Sequence, residues 1–264
     1  MTPSRQLDLF SARGALAEAP EPAASRRRAV APGDLDDRAV IAAIPGANLA
    51  EAQALTAEAA RRRLRAAIPA LEALCSRFAG FGVERSVSEQ AAALSALSVI
   101  GGVEAAQTIA RMIVRGVVQG PTLKDAVAAA AQLNARLPTE IVLALLRQPD
   151  PDVRADACRC FPGGPDTIAV LIDLLDDLHA NVRVSAAYAL GRLGRREARP
   201  ILTRLLREAP TMPVIDALPA IADEECIVLL GRIARARPDL RASALEALEE
   251  IDDPRAAAIV ARMR

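Results

Sequence analysis

"HANVRVSAAYALGRLG", residues 179–194, decides how this chain folds, because it is one of a series. Its Val182-Arg183 pair occupies the place of Val153-Arg154 in "DPDVRADACRCF" (150–161) and of Leu240-Arg241 in "RPDLRASALEALEEI" (237–251). A degenerate copy, "MPVIDALPAIAD" (212–223), falls into line when Leu218 is matched to Leu190. Phe161, Leu190, Leu218 and Leu248 then recur at separations of 29, 28 and 30. Self-similarity at a fixed period of this size is the mark of a repeat architecture.

A second set of positions tests the alignment. After each segment comes another apolar series: Ile168, Leu171, Ile172, Leu175; then Ala198, Ile201, Leu202, Leu205; then Cys226, Leu229, Leu230, Ile233; then Ala256, Ile259, Val260, Met263. Each follows i, i+3, i+4, i+7, which is one face of a helix. Their first members are spaced 30, 28 and 30 apart, in step with the first set. The unit is therefore a pair of helices. Asp150-Pro151 and Asp253-Pro254 place a capping side chain before a proline suited to a first helical turn, and Gly163-Gly164-Pro165 ends one helix and starts another. A pair of short helices with one apolar face each cannot bury that face alone, so the units are expected to stack into a continuous core.

The Asp-x-Val-Arg start, the small-residue stretch "SAAYALGRLG" and the leucine-rich "IAVLIDLLDD" (168–177) resemble the short form of the HEAT-like repeat, an α-solenoid unit. The resemblance is firm over 150–264. Upstream, "SVSEQAAALSALSVIGG" with "VEAAQTIARMIVRG" (86–116) and "TLKDAVAAAAQLNA" with "TEIVLALLRQ" (122–148) make two further pairs without the Val-Arg signature. "LAEAQALTAEAARRRLRAAIPALEALCSRFAGFG" (49–82) reads as two helices divided near Pro69. The expected fold is all-α: a curved, right-handed stack of about six HEAT-like helix pairs over 83–264, an amino-terminal helical cap over 34–82, and a flexible tail over 1–33.

Composition agrees. Of 264 residues, 52% are apolar but only 2% aromatic, and the plenty of alanine, leucine and arginine favours helix over sheet. Basic and acidic residues balance at 33 each, so no global field draws the chain to nucleic acid or an anionic membrane. No run approaches the roughly 18 apolar residues of a membrane helix, and no signal-peptide pattern opens the chain, so a cytoplasmic location is expected. Cys75, Cys158, Cys160 and Cys226 are too few and irregular for a disulfide framework and read as buried small hydrophobes.

Catalytic candidates are scarce, and the expectation is a protein that is not an enzyme and uses no metal or cofactor. The one histidine, His179, sits in a turn without companion ligands, and Cys158-x-Cys160 falls within one helix, where neighbours two apart diverge. Asp176-Asp177 and Glu249-Glu250 stand at helix ends without the pairing that acid-base work needs. Arg154, Arg183 and Arg241 recur at the repeat period and line one edge. They either contact phosphate there or tie neighbouring repeats through a carboxylate or carbonyl. "RRRLR" (61–65) reads as a solvated helix face.

One apolar cluster stands apart from the repeats. "QLDLF" (6–10) precedes Pro20, Pro22, Arg26-Arg27-Arg28 and Pro32-Gly33, a stretch that does not suit packing. It closely resembles the pentapeptide by which bacterial replication and repair proteins dock on the sliding clamp of DNA polymerase III, with consensus Gln-Leu-(Ser or Asp)-Leu-Phe. The resemblance implies that Gln6 hydrogen-bonds at the rim of the clamp pocket, Leu7 fills a secondary site, and Leu9 with Phe10 enters the deep apolar site. Asp8 holds the tolerant position. Each buried side chain contributes on the order of 1.5 to 3 kcal/mol less the ordering cost of the peptide, so micromolar affinity is expected. The residues behind it form a tether reaching roughly 25 to 30 Å. The expected function is a scaffold or adaptor: the solenoid grips an unidentified protein and the tail recruits it to the clamp during replication or repair. The alternatives are a fold-back of the segment onto the first helices, a HEAT-like lyase of the phycobilin group, and a DNA-binding solenoid that uses the arginine edge.

Overall fold

Five of the fifteen described α-helices begin where an Asp or Asn side chain accepts from an orphan N–H. A computed structural model describes residues 31–263. Asp36 caps α1 (Asp37–Ala43), and Asn48 with Glu51 forms a reciprocal capping box on α2 (Leu49–Arg61). The Asp150 carboxylate accepts from Asp152 N at 2.8 Å to open α8 (Pro151–Ala157), and Asp253 does the same for Arg255 N in α15 (Pro254–Ala261). The two Asp-Pro junctions thus act as the sequence indicates.

The result is an all-α solenoid. α2 pairs with α3 (Ile68–Arg77), α4 (Ser88–Ile100) with α5 (Gly102–Val114), α6 (Gly120–Gln132) with α7 (Thr139–Leu145), and α8 with α9 (Pro165–Asp173). α10 (Ala180–Arg192) pairs with α11 (Arg199–Glu208), α12 (Met212–Asp216) with α13 (Glu224–Ala236), and α14 (Arg241–Glu250) with α15. First helices stack in order, α2 on α4, α4 on α6, and so on through α14, forming a continuous spine. Second helices meet along α3–α5, α7–α9, α11–α13 and α13–α15. One contiguous apolar core runs from Val40 to Val260. All sixteen residues of the second periodic set are buried or partly buried, as one face turned to the neighbouring layer requires. No strand occurs among the described residues.

Three details depart from expectation. α12 stops after five residues, because Pro219 has no N–H to donate and disfavours helix at Leu218 before it; a 3-10 turn replaces the rest. The amino-terminal region holds a third helix, α1, ahead of the two expected. "RRRLR" is not a helix face: α2 ends at Arg61, and Arg63 turns the chain at φ 52°. Arg63 N bonds Ala60 O at 2.9 Å and Leu64 N bonds Ala59 O at 3.0 Å, the two bonds of a Schellman cap. Within that turn Arg62 is a clamp, 17% exposed, donating to Glu58, Asp37 and the carbonyls of Pro32, Gly33 and Leu35. Arg77 similarly donates to Pro45 O and Ala47 O, so two arginines fix the chain ahead of α2.

The same cap recurs after α5, α6 and α10 with Gly116, Asn134 and Gly194 at the left-handed position. Arginine is the worst suited of the four, since a Cβ in that conformation costs about 1 kcal/mol or more. Its side chain is exposed. Arg63→Gly is therefore expected to raise stability by about 0.5–1 kcal/mol, read as a higher urea midpoint at unchanged slope. A lower midpoint would show that the arginine side chain supports the turn.

Candidate interaction surfaces

The clamp-like segment Gln6, Leu7, Asp8, Leu9 and Phe10 lies outside the described residues. The three repeat-edge arginines lie within them, and all three donate to backbone carbonyls. Arg154 Nη1 donates to Gln148 O and Pro149 O, both at 2.8 Å; Arg183 Nη1 donates to Asp177 O at 2.7 Å and Leu178 O at 3.1 Å. Arg241 donates to Ala234 O and Met263 O. Arg154 and Arg183 thus hold carbonyls of the turn that follows the preceding helix, while Arg241 bonds one carbonyl at the end of α13 and one just past α15. In all three the guanidinium is engaged on neighbouring elements of the fold.

Arg154 does more. Its Nε and Nη2 grip the two Asp177 oxygens at 2.9 and 3.0 Å, and the pair is 13% and 9% exposed. Asp177 Oδ1 also accepts from His179 N at 2.8 Å, and the Asp177 carbonyl receives Arg183. Arg154 foremost, with the His179 N–H, holds the Asp177 carboxyl below its ordinary range. One aspartate in the turn ahead of α10 thus joins two successive repeats. His179 is the residue preceding α10, beside Asp177, and serves as a turn residue.

Upstream repeats lack this arginine ladder and use buried polar side chains instead. Gln90 and Thr122 stand third in α4 and α6, where α8, α10 and α12 carry Val153, Val182 and Val214. Gln90 Nε2 donates to Cys75 O and Val117 O, both at 3.0 Å, and Thr122 Oγ1 accepts from Val87 N at 3.0 Å. Both are fully buried. Aligning the helix starts by position, rather than by Val-Arg, would have marked them from sequence.

All four cysteines are buried and reduced. Burial pushes the thiols of Cys75, Cys158 and Cys160 up to about 12, which suppresses the thiolate at neutral pH. Cys160 falls in the turn after α8 rather than inside the helix, because α8 ends at Ala157. No group of three or more His, Cys, Asp or Glu able to hold a metal occurs among the described residues. No helix there is long and apolar enough to cross a membrane.

Two grooves adjoin across the middle of the array. The larger, about 580 Å³, runs between α5 and the turn that ends α6, with Val103, Ala106 and Ala110 on one wall and Leu133 to Arg136 on the other. The smaller, about 230 Å³, lies between the carboxyl ends of α6, α8 and α10 and is walled by Arg136, Arg159, Tyr188 and Arg192. Asn134 and Arg136 line both, so the two adjoin there. Sequence inspection missed these arginines because they share no period with the Val-Arg series.

Comparison with known proteins places one family on this architecture. The family model described as HEAT repeats matches residues 139–217, from α7 to just past α12. No curated protein matches the chain.

Proposed function

We propose that this chain is a non-catalytic adaptor, whose HEAT-like solenoid binds a partner protein and whose residues 6–10 dock on the bacterial DNA polymerase III sliding clamp. HEAT-like repeats build an extended interaction surface, and solenoids of this kind serve binding through it. Thiols held near 12 by burial and arginines engaged on backbone carbonyls fit a framework better than a reaction centre. The observation that carries the clamp reading is the five-residue agreement of Gln6-Leu7-Asp8-Leu9-Phe10 with the clamp-binding consensus, followed by residues rich in Ala, Pro, Glu and Arg.

Purified clamp titrated with the full chain tests it. Leu9→Ala/Phe10→Ala is expected to weaken binding by about a hundredfold or more, two buried side chains being lost, while thermal unfolding stays unchanged. A synthetic peptide of residues 1–15 is expected to bind clamp by itself. Equal binding by both proteins refutes the tether. A lowered unfolding temperature in the variant would instead make the segment a cap on the first helices.

A further inference from the structure

We propose that the groove walled by Arg136, Arg159 and Arg192 docks an extended acidic segment of a partner protein, with an apolar side chain of that segment seated beside Val103 and Leu133. The inference rests on the reading of the solenoid as an interaction module and names the surface and partner chemistry; it is independent of residues 6–10.

The charge pattern comes first. Several arginines of the array are matched to carboxylates, among them Arg62 to Glu58 and Asp37, Arg111 to Glu72, Arg154 to Asp177 and Arg199 to Asp223, and others, such as Arg77 and Arg183, are engaged on backbone carbonyls. Arg136, Arg159 and Arg192 make no direct ion pair among the described residues, although Asp156 acts on Arg159 at longer range. All three are exposed and face one groove, and no acidic residue lines either groove. In a chain of zero net charge, three unmatched guanidinium groups around one depression form a local excess that an external carboxylate cluster would neutralise. Guanidinium forks bind carboxylates in bidentate fashion, which suits Asp and Glu side chains of an extended strand.

The groove's other half selects among anions. Tyr188, the only tyrosine, packs half-buried against the core and lines the basic end. Beyond Asn134 and Arg136 the wall turns apolar, with Val103 74% exposed next to Ala106, Ala110 and Leu133. An isolated exposed valine is ordinary, but one in a concave site adjoining a basic cluster invites an apolar side chain. A nucleic-acid strand presents charge at every step and would leave that half of the groove unused. A peptide with an apolar anchor followed by acids uses both halves.

The probe is a short fluorescein-labelled peptide of two leucines followed by alternating Asp and Glu. It is titrated by anisotropy against the full chain, beside a Lys-for-acid counterpart and a labelled single-stranded DNA. The acidic peptide is expected to bind tightest and to weaken with salt. Arg136→Gln/Arg159→Gln/Arg192→Gln is expected to weaken it about tenfold or more, three exposed ion pairs being lost, with unchanged circular dichroism and melting. The matching triple lysine variant is expected to recover part of the affinity, because charge survives without the fork. Val103→Asp is expected to weaken the peptide by repelling its anchor. Equal binding of the acidic and basic peptides, tighter binding of DNA, or full binding by the triple glutamine variant overturns the proposal. Clamp binding measured on the same preparations reports separately on residues 6–10: a groove variant that loses peptide but keeps clamp, beside a Leu9→Ala/Phe10→Ala protein that does the reverse, supports two independent sites.

Discussion

Gly191→Ala is expected to destabilise the protein by about 2–3 kcal/mol, against the ordinary trend in which alanine strengthens a helix interior. Gly191 lies near the end of α10, fully helical, where a Cβ would come 2.4 Å from Ala217 O and 2.7 Å from Leu202 Cδ1. The side chain of Leu202 can shift, but the carbonyl of Ala217 belongs to the backbone just past α12. The spine at this point is thin: α12 has five residues, and it joins α10 to α14 together with only the 3-10 turn that follows it. A methyl group at Gly191 therefore pries apart one repeat junction, and in a linear array that loss falls on neighbours first. Hydrogen exchange is expected to show the amides of α12 to α15 losing protection while those of α2 to α6 keep theirs. Gly46→Ala, where a new Cβ meets nothing within 4 Å, is expected to be close to neutral. A variant at Gly191 more stable than the parent would show that the junction has slack.

Asp177→Ala is expected to cost about 3 kcal/mol at neutral pH, because it strands the enclosed Arg154 guanidinium and removes the acceptor for His179 N. Its pH dependence identifies the cause. The folded protein holds the Asp177 carboxyl below its ordinary value of 3.8, so the unfolded chain takes up the proton first as pH falls. The contribution is complete well above 3.8, then declines as pH falls through 3.8 and on through the lower folded value. Urea midpoints of parent and variant should thus lie far apart at pH 7 and converge toward pH 3. A gap that stays constant over this range would assign the loss to packing rather than charge. Arg154→Leu is expected to cost less than Asp177→Ala, since its stem remains and the acid retains the His179 N–H.

Reading the chain for periodicity recovers the helix pairs from 150 onward because each repeat writes its buried face into local spacing. The Asp-Pro starts are equally local, since cap and N–H lie within three residues of each other. The same reading overextends α12, where a single proline outweighs an apolar pattern, and it gives "RRRLR" a helix face although a left-handed Arg63 ends α2. Arg62 and Arg77 illustrate the harder limit: apart from Glu58, their acceptors lie 25 to 32 residues away, and nothing in the flanking sequence announces them.

For the candidate surfaces the division is similar. Arg154, Arg183 and Arg241 are visible as a period, yet only the fold decides that their donors turn to carbonyls instead of outward. The basic groove is the opposite case. Arg136, Arg159 and Arg192 have no common spacing, and they converge because the carboxyl ends of α6, α8 and α10 stack side by side in the spine.

The sequence by itself therefore determined the fold class, the repeat period and the one segment, residues 6–10, that resembles a docking peptide, because each of these is carried by neighbours within a helical turn or two. Tertiary structure alone decided which arginines are spent on the framework and which are left facing a groove, and that Gly191 and Asp177 are the joints of the array. Those properties arise from groups on different helices, 23 residues apart for Arg154 and Asp177 and 26 for Gly191 and Ala217, whose meeting depends on how the helices stack.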